Sequence, residues 1–288
     1  GDFETYFAAK KLLFTEHLHE KGMAIVNLDD EHGSLLAESL RGPRCQTFGF
    51  TPGAHFRPEN LEISLEGVRF LCTTPKGPVE VNSPLVGLFN VSNLLGAIGA
   101  SMALGLSPQE AASGVSSLEG VPGRMERVDE GQPFSVIVDY AHTDDALRNL
   151  LDTLRSLKPR RIITVFGCGG DRDRSKRPLM GSVAAQRSDL VIATSDNPRS
   201  EPPSGILDEI AQGFRNHTTP FKLIVDRRQA IDMALRSAGP GDLVAIAGKG
   251  HEGTQTIREK KLPFDDRVVA REILRDLGRL GGGSHAHP

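Results

Sequence analysis

From residue 134 onward, apolar runs typical of buried strands alternate regularly with helical patterns. The apolar runs lie near residues 134–139, 161–166, 189–194, 221–225 and 242–246, and the helical patterns between them lie near residues 143–156, 177–187, 204–215 and 227–237. This alternation is typical of consecutive βαβ units, whose strands run parallel in one sheet. The sequence therefore predicts a doubly wound α/β fold with a mostly parallel sheet for this half of the chain.

The first 120 residues have a less regular pattern. Residues 3–18 carry apolar side chains at helical spacing, and residues 24–27 form a short apolar run. Residues 61–72 predict a hairpin, and residues 90–104 predict a helix rich in small side chains. The Ser-Pro pair at residues 107–108 supplies a cap and a first helical position, so we expect another helix to begin there.

A stretch punctuated by glycine and proline, residues 118–124, separates these two patterns. We therefore expect one domain over residues 1–121, a second over residues 122–280, and a flexible glycine-rich tail over residues 281–288. Because the chain starts with glycine and passes directly into a helical pattern, we also expect it to begin inside a longer protein.

Composition narrows the class of protein. The formal net charge is -3 with interspersed signs, which is not the footprint of a nucleic-acid-binding protein. No apolar run reaches the roughly 20 residues that cross a bilayer, and no signal-peptide pattern opens the chain. The three cysteines are widely spaced, which fits neither a disulfide framework nor a zinc ribbon. We expect a cytoplasmic protein that binds small molecules and neither nucleic acid nor a membrane.

Three polar clusters follow strands of the predicted sheet. They are residues 167–174 (GCGGDRDR), 195–199 (SDNPR) and 248–252 (GKGHE). Because parallel strands end at the same edge of a sheet, and ligands of open α/β sheets bind at that edge, these clusters predict one binding site.

The side chains in these clusters indicate the kind of ligand. Arg172 and Arg199 supply guanidinium donors, whereas Asp196 and Asn197 supply carboxylate and amide acceptors. Such a set suits a ligand that carries both carboxylate and ammonium groups, and an amino acid fits that description.

Other interpretations of the same residues remain open. Gly167 and Gly169 match the start of the dinucleotide fingerprint G-x-G-x-x-G, but Arg172 occupies the third glycine position, which disfavours a dehydrogenase. Tight turns would explain the glycines, although not three polar clusters at one sheet edge. Cys168 has no recognisable base beside it, so we interpret it as a small packing residue rather than a nucleophile.

Four further polar residues each have two interpretations. Asp139 ends the first strand of the sheet, where a carboxylate either accepts bonds from ribose hydroxyls or caps the next helix. Asn90 and Asn93 share a helix face, where amides either contact a purine edge or make buried structural contacts. Lys10 stands in the middle of a helical pattern, where solvent exposure is the expected state, and its spacing alone does not make it catalytic.

In combination, the motifs of this chain resemble those of the Mur ligases over essentially residues 1–275. The resemblance rests on residues 6–10 (YFAAK), 87–93 (GLFNVSN), 123–126 (GRME), 139–143 (DYAHT), 167–172 (GCGGDR), 196–199 (DNPR) and 248–252 (GKGHE), in this order. It is strongest with the members that add meso-diaminopimelate to UDP-N-acetylmuramoyl-L-alanyl-D-glutamate during peptidoglycan synthesis. It implies the later part of a Mur-type central ATPase domain followed by a Rossmann-like C-terminal domain.

The resemblance also implies roles for individual residues. Lys10 corresponds to a carbamylated lysine whose added carboxylate helps to hold a catalytic Mg²⁺. The implied nucleotide contacts are Asn90, Asn93, Arg124 and Asp139, and the implied diaminopimelate contacts are Arg172, Asp196, Asn197, Arg199, Gly248 and Glu252. Because lysine-adding members lack the arginine of the DNPR segment, Arg199 implies diaminopimelate as the added amino acid.

The implied reaction is ATP-dependent amide formation through an acyl phosphate, with ATP and Mg²⁺ as cofactors and a monomer as the expected state. The 288 residues contain no G-x-x-x-x-G-K-[ST] phosphate loop, so we expect this chain to be inactive by itself. The alternatives are a related lysine-adding or glutamate-extending ligase, and a non-catalytic module that binds an amino acid.

Overall fold

A computed structural model describes residues 2–40, 44–118 and 120–282 of the chain. The chain forms two compact units, Gly1–Gly120 and Val121–Pro288. Each unit has its own hydrophobic core. Within the described residues, no helix is both long and apolar enough to traverse a lipid bilayer.

Unit 1 contains short sheets packed with helices. Its elements are α1 (Phe3–Thr15), β1 (Ala24–Asn27), α2 (Glu31–Ser39), β2 (Cys45–Phe48), β3 (Arg57–Ser64), β4 (Gly67–Thr73), β5 (Val79–Ser83), α3 (Leu88–Ala103) and α4 (Pro108–Ser116). Strands β1 and β2 pair in parallel, and β3, β4 and β5 form an antiparallel sheet in that order. The buried face of α3 packs on this second sheet and includes Leu95 and Ile98, both fully buried.

Local sequence accounts for several ends of these elements. The Ser107 hydroxyl accepts a bond from the Glu110 N–H, and the Glu110 carboxylate accepts one from the Ser107 N–H, so a complete capping box begins α4. The predicted hairpin is confirmed, since β3 and β4 pair through Ile63 and Val68. Helix α1 ends at Thr15, three residues earlier than the predicted limit. Its packed side chains are Phe7 and Phe14, whereas Leu13 is largely exposed.

Unit 2 contains a six-stranded sheet, a separate two-stranded hairpin and helices. Its elements are β6 (Glu126–Arg127), β7 (Ser135–Asp139), α5 (Asp144–Ser156), β8 (Ile162–Phe166), α6 (Lys176–Arg187), β9 (Leu190–Thr194), α7 (Pro203–Gln212), β10 (Phe221–Ile224), α8 (Arg227–Ser237), β11 (Leu243–Ala247), β12 (Thr254–Ile257), β13 (Lys260–Pro263) and α9 (Asp266–Gly282). The strand order is β10-β9-β8-β11-β7-β6, with β6 antiparallel and the other five strands parallel. The predicted mostly parallel α/β sheet is confirmed.

The position of each strand in the sheet explains its burial. All five residues of β8 and all five of β11 are buried, because strands flank them on both sides and helices cover the sheet. Strand β10 lies at the edge, and three of its four residues are exposed. The five parallel strands and α5 to α8 match the predicted alternation within a few residues.

The structure also contains elements that the sequence patterns did not predict. These are α2, β2, β5, β6, the β12–β13 hairpin and α9. Helix α9 continues to Gly282, so the first two residues of the expected tail are helical in backbone. The rest of that tail, residues 283–288, lies outside the described residues.

Candidate functional site

A cavity of about 360 Å³ opens at the carboxyl ends of β7, β8, β9 and β11. Its lining includes every residue predicted to contact the amino acid: Arg172, Asp196, Asn197, Arg199, Gly248 and Glu252. The loops that follow adjacent parallel strands bring these residues together, as expected for this sheet edge. The structure therefore contains the predicted grouping, while the binding role of each residue stays a prediction.

Hydrogen bonds join the loop after β8 to the loop after β9. The Gly170 N–H donates to the Asn197 carbonyl at 2.9 Å, and the Gly170 carbonyl accepts from Arg199 Nη1 at 2.6 Å. The Arg199 backbone has a φ of 51° and is held on both sides, since its N–H donates to Thr256 and its carbonyl accepts from Arg258. Arg199 is therefore fixed in place before any ligand binds.

Arg172 differs from Arg199 in its surroundings. Its side chain is exposed and makes no hydrogen bond or ion pair with any residue in the described ranges. Of the two arginines predicted to contact the amino acid, Arg199 is thus anchored and Arg172 is free to reorient.

Acidic and amide groups line another part of the cavity. Asp196 is 6% exposed, and its burial raises the pKa of its carboxyl group, although Arg227 and Lys249 act in the opposite direction. Burial also opposes the ionisation of Glu252, but the hydrogen bond from Asn197 and the nearby charge of Lys249 outweigh it and lower the pKa of Glu252. The cavity therefore offers acceptors suited to an ammonium group.

Gly248 keeps the backbone close to these acceptors. Its φ is 119°, and a Cβ atom at this position would lie 2.7 Å from Oδ2 of Asp196. Any other residue here would therefore combine backbone strain with a clash against the carboxylate.

Asp139 and Arg124, both predicted to contact nucleotide, lie near each other in unit 2. The Asp139 carboxylate accepts from the N–H groups of Met125 and Ala141, each at 2.8 Å. Burial raises the pKa of Asp139, while these two bonds and Arg124 lower it in part. The Arg124 guanidinium lies over the Tyr140 ring at 5.0 Å. Asp139 thus makes structural contacts, and its contact with a ribose stays a prediction.

Asn90, Asn93 and Lys10 belong to unit 1. Asn93 Nδ2 donates to Asn90 Oδ1 at 3.3 Å, and Asn90 Nδ2 donates to the Val86 carbonyl at 2.9 Å, so the two amides share a helix face as expected. Lys10 is exposed on α1, with its Nζ 5.4 Å from the centre of the Tyr6 ring. Within the described ranges, no group of three or more His, Cys, Asp or Glu side chains is arranged to hold a metal. Lys10 alone does not make a Mg²⁺ site, so the carbamate on Lys10 and the metal ion stay predictions.

Three buried cations in the cavity wall or directly behind it were not among the predicted site residues. Lys249 is 0% exposed, Arg177 is 1% exposed, and Arg227 is 2% exposed. Arg177 donates to Glu201, Glu209 and the Gly169 carbonyl. A lysine between two glycines after a strand was a visible signal for Lys249, whereas the partners of the two arginines are distant in sequence.

Cys168 lies in the cavity wall, and its burial agrees with its interpretation as a packing residue. Its thiol is buried, and burial raises its pKa to about 12. The thiolate needed for nucleophilic attack is therefore scarce near neutral pH. All three cysteines of the chain are free thiols.

Both halves of the chain match known protein families. The Mur ligase middle domain matches residues 1–101, and the family described as "Mur ligase, glutamate ligase domain" matches residues 123–250. The chain is 49% identical over 279 residues to the UDP-N-acetylmuramoyl-L-alanyl-D-glutamate--2,6-diaminopimelate ligase of Solibacter usitatus, which covers 96% of the chain and 56% of that relative. It is 50% identical over 274 residues to the ligase of the same name from Gloeobacter violaceus, covering 95% of the chain and 55% of the relative. The chain thus spans about half the length of the curated relatives it matches.

Solved structures agree with these matches. A structure of UDP-N-acetylmuramoyl-L-alanyl-D-glutamate--2,6-diaminopimelate ligase superposes with a TM-score of 0.69 at 38% identity, covering 96% of this chain and 57% of that one. A folylpolyglutamate synthase from Thermotoga maritima superposes over 75% of this chain and 49% of its own, with a TM-score of 0.57 at 18% identity, which shows a shared fold alone. With both Mur domains matched in order and relatives near 50% identity along almost its whole length, this chain belongs to the Mur ligase family.

Proposed function

We propose that this chain is part of an ATP-dependent ligase that adds meso-diaminopimelate to the D-glutamate of UDP-N-acetylmuramoyl-L-alanyl-D-glutamate. The observation that carries the proposal is the cavity of unit 2, where Arg172 and Arg199 stand with Asp196, Asn197 and Glu252. Diaminopimelate has two carboxylates and two ammonium groups. Its charges complement this mixed set of donors and acceptors better than those of an amino acid with one carboxylate.

The proposed reaction makes one amide bond and consumes one ATP. The γ-phosphoryl group of ATP passes to the γ-carboxylate of D-glutamate, which gives an acyl phosphate and releases ADP. A neutral amine of diaminopimelate then attacks the acyl carbon, the tetrahedral intermediate expels phosphate, and the amine gives up its proton. The residues of this cavity would bind and orient the amino acid so that one amine remains available for attack.

The remaining site residues belong to the proposal as well. Arg124, Asp139, Asn90 and Asn93 would contact the nucleotide. ATP would supply the phosphoryl group, and Mg²⁺ would offset the charge of that group. A carbamate on Lys10 would help to hold the Mg²⁺. The partners we propose are therefore small molecules: the UDP-linked dipeptide, diaminopimelate and ATP.

Calorimetric titration of this chain with meso-diaminopimelate and with lysine tests the amino-acid assignment. The two ligands differ by one carboxylate. We expect Arg199→Ala to weaken diaminopimelate binding by about 10- to 100-fold, since a hydrogen bond between charged groups is lost, and to change lysine binding little. Arg215→Ala, which removes an exposed arginine in the segment after α7, is the control and should leave both affinities unchanged. Equal binding of lysine and diaminopimelate by the wild-type chain would contradict the assignment.

A second candidate is a non-catalytic module that binds the amino acid without turning over ATP. The absence of a phosphate-loop sequence from the 288 residues favours this for the chain assayed by itself. Phosphate release in the presence of ATP, diaminopimelate and the UDP-linked dipeptide distinguishes the two candidates when it is measured on the longer ligase of which this chain is proposed to be a part. Release that depends on all three substrates supports the first candidate, and absence of release supports the second.

A further inference from the structure

Lys249 lies beneath the cavity and is fully buried. Its ammonium group has three hydrogens, and the structure provides three acceptors for them. Nζ lies 2.7 Å from the Thr254 carbonyl, 3.2 Å from Glu252 Oε2 and 3.3 Å from Asn197 Oδ1. All its donors are therefore used within the protein, so Lys249 has none to offer a ligand.

These bonds fix the orientation of the Asn197 amide. Oδ1 accepts from Lys249 and, at 2.8 Å, from the Thr256 N–H, while Nδ2 donates to Glu252 Oε2 at 2.8 Å. A flipped amide would place its NH₂ group against two donors and its oxygen against a carboxylate. Only one amide orientation is therefore compatible with Lys249 and Glu252.

The same bonds determine which atom of Glu252 remains for a ligand. Oε2 accepts from both Asn197 and Lys249, whereas Oε1 accepts no hydrogen bond from any residue in the described part of the chain. Asp196 lies in the same cavity wall, and the positive charge of Lys249 acts to lower the pKa of its carboxyl group, against the effect of burial. A ligand ammonium group would thus meet an ionised Glu252 whose free oxygen has a set position.

From this geometry we propose that Lys249 is a positioning residue, which orients Asn197 and Glu252 so that the cavity selects a ligand with an ammonium group. The inference rests on the proposed binding of diaminopimelate in the cavity. It assigns selectivity for the ammonium group to a residue that contacts no ligand atom, and it leaves the carboxylates of the ligand to the arginines.

The test compares two ligands in wild-type and Lys249→Met chains. The ligands are meso-diaminopimelate and 2-aminopimelate, which keeps both carboxylates and lacks one ammonium group. Methionine keeps an unbranched, buried side chain but removes the charge and all three donors. The quantity compared is the ratio of the Kd of 2-aminopimelate to the Kd of meso-diaminopimelate. We expect this ratio to be at least about 10 in the wild type and to fall close to 1 in Lys249→Met.

The ratio separates positioning from general damage to the structure. A merely structural loss would weaken both ligands by the same factor and leave the ratio unchanged, which would overturn the inference. Lys222→Met, which removes an exposed lysine from the edge strand β10, should leave both affinities unchanged. Failure of the wild type to bind diaminopimelate would instead contradict the proposed function.

A double-mutant cycle and a measurement on the wild type complete the test. If Lys249 acts through Glu252, the effects of Lys249→Met and Glu252→Gln on the ratio will not add, and independent effects would contradict the inference. In the wild-type chain labelled with ¹⁵N-lysine, a buried ammonium with three hydrogen bonds should give a slowly exchanging ¹H–¹⁵N signal. This measurement needs no folded variant, and absence of such a signal would contradict the bonds on which the proposal depends.

Discussion

Arg172 and Arg199 have the same side chain and line the same cavity, but they differ in how much freedom a ligand must remove. One nitrogen of Arg199 is already bound to the Gly170 carbonyl, and its backbone is held on both sides. Arg172 is exposed and unattached to any residue in the described ranges. A preorganised group loses less entropy on binding than a mobile one, so Arg199 should contribute more to affinity.

Lysine substitutions test this difference because they keep the charge. A lysine at position 199 lacks the planar fork that can hold Gly170 and a ligand carboxylate together, so we expect Arg199→Lys to weaken diaminopimelate binding by about tenfold. We expect Arg172→Lys to weaken diaminopimelate binding by about threefold or less, because a mobile ammonium group replaces a guanidinium group that is itself mobile. Calorimetry measures both variants, and equal losses would contradict the preorganisation of Arg199.

Glu201 connects the loops after β8 and β9 to helix α6 and should make the stability of the fold depend on pH. The hydrogen bond from Arg177, followed by that from the Asp171 N–H, lowers the pKa of Glu201 from 4.5 to about 2. A carboxyl group whose pKa is lower in the folded state stabilises it above the unfolded pKa, and this stabilisation disappears as the pH falls toward 2.

The corresponding variant is Glu201→Gln. We expect it to lower the free energy of unfolding at pH 7 by roughly 1.5–3 kcal/mol, the range for a hydrogen bond to a charged group, and to make the loss of stability between pH 4.5 and pH 2 shallower. Urea unfolding at a series of pH values measures both effects. Asp208→Asn, which alters an exposed carboxylate of α7, is the control. A wild-type slope in Glu201→Gln would show that Glu201 is not the group responsible.

At the level of elements, a buried ion pair joins two helices to two strands. Arg227 at the start of α8 and Asp266 at the start of α9 are fully buried and share two bonds of 2.7 Å. Arg227 also donates to the carbonyls of Ser195 and Ala247, which directly precede the Asp196 and Gly248 positions of the cavity. This pair therefore supports the ends of β9 and β11, from which the site residues extend.

We expect Arg227→Met to lower the free energy of unfolding by about 3–5 kcal/mol, because it leaves the Asp266 charge buried without a partner. The double variant Arg227→Met with Asp266→Leu should recover much of this loss, although not all, since two backbone carbonyls still lose their donor. Urea unfolding measures these differences.

The chain contains a matched control for this prediction. Arg228 and Glu272 pair between the same two helices at 2.7 Å, but each side chain is 50% exposed. Arg228→Met should therefore cost only about 0–1 kcal/mol. Similar losses for Arg227→Met and Arg228→Met would show that burial of the first pair has no special importance.

The accuracy of the element predictions followed from the length and burial of each element. Strands β7, β8, β9 and β11 are continuous apolar runs because they are covered on both faces, and such runs are visible in the sequence. Strand β6 has only two residues and is too short to give a pattern. All four residues of β13 are exposed, so the strand shows no alternation of apolar and polar side chains. The placement of β11 between β7 and β8 depends on packing across the whole sheet, which no local pattern encodes.

The site residues also differ in how far local sequence indicates their positions. The grouping of Asp196, Arg199 and Glu252 was predictable because strand ends of a parallel sheet share an edge. The role of Arg227 in supporting the ends of β9 and β11 was not predictable, because its partner Asp266 lies on a helix that follows an unpredicted hairpin. Charged side chains are usually solvated at the surface, so the burial of Arg177 becomes evident only when its distant partners Glu201 and Glu209 are known.

At the scale of the whole molecule, ligand binding and fold stability are linked within unit 2. Every residue that lines the cavity lies between Tyr140 and Glu252, in the unit whose core is formed by the parallel sheet and its helices. A ligand that binds only the folded state stabilises it by RT ln(1 + [L]/Kd), about 2.7 kcal/mol at 100 times Kd.

Amide hydrogen exchange of the central strands measures this linkage. Ile163, Ile192 and Ile246 lie in β8, β9 and β11 and are fully buried, so we expect their amides to exchange only when unit 2 opens extensively. Diaminopimelate at 100 times its Kd should slow their exchange by about 100-fold, since 2.7 kcal/mol corresponds to two factors of ten. The same concentration should protect Arg199→Ala far less, because the weaker affinity reduces [L]/Kd. If diaminopimelate binds by calorimetry but leaves these amides unprotected, the ligand occupies a site other than the carboxyl edge of this sheet.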